Sequence, residues 1–106
     1  MLIQLNTDNN LTASTGLAEH VETALRTALD RFSADITRIE VHLGDESSTV
    51  KNVGDDKRCV LEARLAGLAP MAVTHHAPTI AQALDGGIDR LKNLLANTLD
   101  RRKDHR

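Results

Sequence analysis

The run Thr79-Ile80-Ala81-Gln82-Ala83-Leu84-Asp85-Gly86-Gly87-Ile88-Asp89-Arg90-Leu91 decides how the rest of this 106-residue chain is read. Ile80, Leu84, Ile88 and Leu91 recur at spacings of four and three, and Leu95 and Leu99 continue the series. That spacing is the buried stripe of an amphipathic helix, here widened by Ala83, Gly87 and Leu94. Thr79 stands where an N-cap belongs, with Pro78 just before it. Each glycine of the Gly86-Gly87 pair costs a helix about 1 kcal/mol relative to alanine. Two of them inside so regular a pattern predict either a close approach to a neighbouring layer or a kink.

Upstream of this helix the period changes from helical to alternating. Ile39, Val41 and Leu43 alternate with Arg38, Glu40 and His42. From Arg58 to Leu65, Cys59, Leu61, Ala63 and Leu65 alternate with Arg58, Val60, Glu62 and Arg64. Both runs read as half-buried strands. Gly67-Leu68-Ala69-Pro70 is turn chemistry, and Met71 to His76 makes a third consecutive strand. Short connections between sequential strands predict an antiparallel meander. The residues from about Gly44 to Asp56, rich in Ser, Asp, Asn and Gly, read as a polar connection.

Nearer the N-terminus, Leu2 to Asn6 reads as a short strand with Ile3 and Leu5 on one face, followed by the turn residues Thr7-Asp8-Asn9-Asn10. Ser14 is the expected cap of a first helix, whose stripe is Leu17, Val21, Ala24, Leu25, Ala28, Leu29 and Phe32. The expected order is βαβββα, an α+β fold with one four-stranded sheet and both helices packed on one face. One hundred and six residues suit a single domain over 1–106.

Composition narrows the function classes. Hydrophobic residues are 41% and charged residues 26% of the chain, ordinary for a globular protein. Phe32 is the one aromatic residue, so aliphatic side chains build the core and unpaired bases have almost no ring to stack on. Any meeting with RNA runs through backbone charge and shape. One cysteine, Cys59, excludes an internal disulfide framework and suits a reducing compartment. No apolar run approaches the ~20 residues of a membrane span, and the N-terminus is too polar for a secretory signal. The expectation is a cytoplasmic protein that does not engage membranes.

The formal net charge is −2, yet it is unevenly distributed. Between Ile88 and Arg106, the cations Arg90, Lys92, Arg101, Arg102, Lys103 and Arg106 face only Asp89, Asp100 and Asp104. Between Gly44 and Asp56, Lys51 faces Asp45, Glu46, Asp55 and Asp56. A local basic surface steers a polyanion despite a negative total. A solvated helix end explains the same residues, since cations favour any helix C-terminus.

Catalytic and metal chemistry find little footing. His75 and His76 are adjacent in a strand and point to opposite faces, while His20, His42 and His105 lie on other elements. No HxH, HExxH or CxxC spacing occurs. Cys59 alternates with apolar neighbours and reads as a small buried hydrophobe. Gly86-Gly87 lies within a helix, so it is no phosphate cradle, and no serine stands in a GxSxG context. The expectation is a non-enzyme without cofactor or metal.

The element order together with the Thr79–Leu91 run resembles the hibernation promoting factor and ribosome-associated inhibitor family. That family's last helix opens on a run close to D-M-Y-A-A-I-D-x-x-I-D-K-L. Ala83, Leu84, Asp85, Ile88, Asp89 and Leu91 fall on that pattern, with Arg90 in place of its lysine. The resemblance implies a protein that binds the small ribosomal subunit when growth slows, under stress, and occludes the channel where messenger and transfer RNAs meet. It implies rRNA binding through phosphate contacts that position without reading sequence. Arg90, Arg101 and Lys103 match family cations, and Lys92 and Arg102 are their basic neighbours. Arg26 and Arg31 are the available cations of the first helix, and Lys57, Arg58 and Arg64 extend the expected surface from the sheet. Ala81 replaces the family's aromatic, and Asn93, Asn97 and Leu99 stand where members often carry Arg or Lys. With the negative total, these departures motivate a second reading, a protein-interaction module with the same fold that has lost rRNA binding. Nothing in the sequence specifies an oligomer, and a monomer is slightly favoured.

Overall fold

The computed structural model describes residues 1–8, 14–46 and 56–104, with the side chains of residues 102–104 outside the description. Its elements are β1 (Leu2–Thr7), α1 (Thr15–Ala28), a 3-10 turn (Asp30–Phe32), β2 (Ile36–Asp45), β3 (Lys57–Leu65), β4 (Met71–Ala77) and α2 (Ile80–Asp104). Four strands form one sheet in the order β1-β2-β3-β4. β1 pairs with β2 in parallel, Ile3 opposite Ile39 and Leu5 opposite Val41. β2 with β3 and β3 with β4 are antiparallel, so the predicted meander is present.

Strand alternation sorts the side chains between two faces. Ile39, Val41, Leu43, Cys59, Leu61, Ala63 and Leu65 are buried in one cluster with Val21 and Leu25 of α1, Leu29 just past its end, and Ala83, Leu84, Ile88, Leu91, Leu95 and Leu99 of α2. Both helices therefore cover the same face. The fully buried Leu84, Leu91 and Leu95 each contribute about 1.5–3 kcal/mol of apolar transfer free energy. The opposite face carries Gln4, Arg38, Glu40, His42, Val60, Glu62, Arg64, Thr74 and His76. Ile36 and Ile39 are three residues apart and both buried. A register shift between Ile36 and Arg38 brings both inward.

Ser14 caps α1, its hydroxyl accepting from Leu17 N–H at 3.0 Å, and Thr79 caps α2, accepting from Gln82 N–H at 3.1 Å. The helix stripe read from Leu17 to Phe32 divides: α1 ends at Ala28, and Phe32 is carried by the 3-10 turn. Phe32 N–H donates to the Leu29 carbonyl at 2.9 Å, three residues back, and this tighter turn keeps Phe32 on the core side. α2 runs unbroken through Gly86 and Gly87. A Cβ on Gly86 would overlap the His75 ring, and one on Gly87 would lie 3.1 Å from Cys59 Sγ. The pair marks close approach of helix and sheet. The expected polar connection is trimmed at its N-terminal end, because Gly44 and Asp45 finish β2. Asp56 is buried and adjoins Lys57, the first residue of β3. Residues 47–55 of that connection and Asn9-Asn10 of the first turn lie outside the described residues.

Candidate nucleic-acid interface

Because the stripe from Leu84 to Leu99 faces the sheet, the polar residues of α2 project from its flanks and back. At about 3.6 residues per turn, Arg90, Asn97 and Arg101 fall along one flank, and Lys92 falls on the other. Arg90 Nε donates to His75 Nδ1 at 3.2 Å, which sets this flank beside β4. Arg101 Nε donates to the Asn97 carbonyl at 3.4 Å, one turn back on the same flank. Arg90, Lys92 and Arg101 are all exposed. None forms an ion pair among the described residues.

The sheet cations are arranged differently. Arg64 lies 3.4 Å from Glu62 and 3.9 Å from Glu40. Arg38 lies 3.4 Å from Glu40 and also donates to Gln4. Arg58 lies 3.3 Å from Glu46, and Lys57 lies 2.8 Å from Asp56 and 3.4 Å from Asp45. The hydrogen bond that Lys57 Nζ donates to Asp56, with Asp45 nearby, raises the pKa of the Lys57 ammonium above its ordinary value. The exposed pairs among these add little stability. Their consequence is electrostatic: each carboxylate cancels the field that a phosphate would feel.

The first helical region is mixed. Arg26 is paired with Glu22 at 3.0 Å, one turn before it. Arg31 is exposed, with its guanidinium carbon 4.5 Å from the Phe32 ring centroid, an arrangement that leaves the cation's outer side available. The eight expected contact residues whose side chains are described therefore do not converge on one patch. Arg90 and Arg101 share a flank, Lys92 lies across the helix from them, and Lys57, Arg58 and Arg64 stand on β3 among carboxylates. The side chains of Arg102 and Lys103 lie outside the described residues. Arg38, a further sheet cation, was not among the expected contacts. Neither was His75, which the sequence presents as an ordinary strand histidine.

Histidine and cysteine chemistry follows the same geometry. His75 turns toward α2, whereas His76 turns to the open face, 3.4 Å from Glu46. Cys59 is fully buried, and burial pushes its thiol up to about 12.

A β1-β2-β3-β4 sheet with one parallel edge strand, two helices on a single face and a cation-bearing second helix defines a small α+β domain of the βαβββα class. The chain belongs to the family described as Sigma 54 modulation protein / S30EA ribosomal protein, a family of ribosome-associated proteins, whose model matches residues 5–103. This agrees with the resemblance read from the Thr79–Leu91 run. The fold is similar to that of the Thermus thermophilus Protein Y N-terminal domain, with TM-score 0.72 at 21% identity, covering 92% of this chain and 99% of that one. It is also similar to a ribosomal subunit interface protein from Coxiella burnetii, with TM-score 0.70 at 17% identity, covering 94% and 99%. At these identities the likeness is one of fold. No curated protein sequence matches the chain significantly.

Proposed function

We propose that this protein is a translation modulator that binds the small ribosomal subunit through rRNA phosphates and occludes the mRNA and tRNA channel during slow growth or stress. Family membership supplies the partner class. The observation that carries the reading is the segregation of charge: Arg90, Lys92 and Arg101 on α2 are exposed and without ion pairs among the described residues, whereas Lys57, Arg58 and Arg64 are each held by carboxylates. A phosphate approaching α2 displaces no carboxylate among the described residues, while one approaching the sheet competes with Glu40, Glu46 and Glu62. Contact therefore centres on α2 and the Arg31 turn, with the sheet cations secondary. The action is by binding, without cofactor or chemical step. No helix among the described residues is long and apolar enough to cross a membrane, and the reading places the protein in the cytoplasm.

The neutralised sheet face and the net charge of −2 favour the second reading, an interaction module that has lost rRNA binding. One experiment separates the two. Tagged protein mixed with purified small subunits is centrifuged through sucrose at low salt and again at moderate salt. Co-sedimentation that moderate salt abolishes is the expected result, because released counterions drive phosphate binding. Protein found only in the free fractions at low salt ends the ribosome reading.

A further inference from the structure

Arg90 differs from the other α2 cations in one respect: its Nε is spoken for by a side chain of another element. His75 sits on the sheet strand next to α2, with its ring against the helix where Gly86 presents no side chain. A Cβ on Gly86 would occupy the space of that ring. In this seat His75 Nδ1 faces Arg90 Nε at 3.2 Å. The Nε–H is a donor, so Nδ1 must be the unprotonated, accepting nitrogen, with the ring proton on Nε2. A guanidinium presents its donors in a rigid planar fork. With Nε engaged, the two Nη groups make no hydrogen bond or ion pair among the described residues. They form the outward end of the fork, suited to two parallel bonds with phosphate oxygens.

We propose that His75 is a positioning residue for RNA binding, which anchors Arg90 at Nε and so presents its Nη groups to a phosphate of structured RNA; this rests on the ribosome-binding reading above. Gly86 is the third part of the device, since without the gap it leaves the ring cannot reach Arg90. An unanchored arginine surrenders rotamer freedom when it binds, and an anchored one has surrendered part of it on folding. The adjacent His76 plays no part, being on the opposite face of the sheet.

The test is a double-mutant cycle read as affinity for purified small ribosomal subunits, with thermal melts confirming that every variant folds. His75→Phe keeps a ring over Gly86 and removes the acceptor, while His75→Gln restores an acceptor oxygen. Expected are a roughly fivefold weakening for His75→Phe, the scale of one hydrogen bond, and binding within about twofold of wild type for His75→Gln. In the Arg90→Ala background His75→Phe should have no further effect, because the coupling runs through Arg90. Equal weakening by His75→Phe in both backgrounds would show a merely structural ring and overturn the proposal. So would wild-type affinity of His75→Phe where Arg90→Ala binds weakly. If Arg90→Ala itself binds like wild type, the α2 contact of the functional reading fails, and the positioning role falls with it.

Discussion

Cys59 lies at full burial between β2 and β4 and under Gly87. Its thiol, pushed up to about 12, carries almost no thiolate at neutral or mildly alkaline pH, and the thiolate is the reactive form. The native protein at pH 8 should therefore resist Ellman's reagent on a timescale where the urea-unfolded chain reacts at once. Prompt reaction of the native protein would contradict this burial. Gly86 makes the opposite demand on its neighbour, because space there is held empty for the His75 ring. Alanine is the better helix former by about 1 kcal/mol, yet overpacking costs typically 1–3 kcal/mol. Gly86→Ala is expected to lower the urea unfolding free energy by about 1 kcal/mol, whereas a stabilised variant would show that the ring yields freely. The glycine pair announced a close approach in the sequence. What it approached was not legible, because His75 and Arg90 meet only once β4 and α2 are docked.

Among the described elements, α2 contributes the most buried hydrophobic side chains to the core. Leu91 is fully buried, and Leu91→Ala should cost about 2–5 kcal/mol in chemical denaturation. Thr79→Ala removes one capping hydrogen bond and should cost about 1 kcal/mol. A smaller loss for Leu91→Ala than for Thr79→Ala would invert this account of the helix. Local periodicity made these elements readable, since stripe, cap and alternation each depend on residues within a few positions. Three features escaped for want of such a signal. The parallel pairing of β1 with β2 depends on where α1 lets the chain return. The bulge after Ile36 shows only as two buried isoleucines three apart. The change from α1 to the 3-10 turn leaves Phe32 on the same stripe, so spacing alone does not register it.

For the molecule as a whole, charge is arranged more tellingly than its total suggests. A count along the chain finds the surplus of cations after Ile88, which was legible. It does not reveal that Arg64 reaches Glu40 on the neighbouring strand or that Arg58 reaches Glu46. Those pairings come from the register of β2 against β3, and they decide which cations still project a field. Three of the ten expected contact residues, Lys57, Arg58 and Arg64, are thereby paired with carboxylates, while the fold is unchanged.

The decisive measurement is the salt dependence of small-subunit affinity for three proteins: wild type, Arg90→Ala/Lys92→Ala/Arg101→Ala, and Glu62→Ala/Arg64→Ala, which removes an ion pair without changing net charge. The helix variant should bind weakly, its log–log salt slope shallower by about 0.7–0.9 for each cation lost, while the sheet variant keeps the wild-type slope. Wild-type affinity and slope in the helix variant, or a loss confined to the sheet variant, would contradict the claim that α2 is the surface that grips RNA.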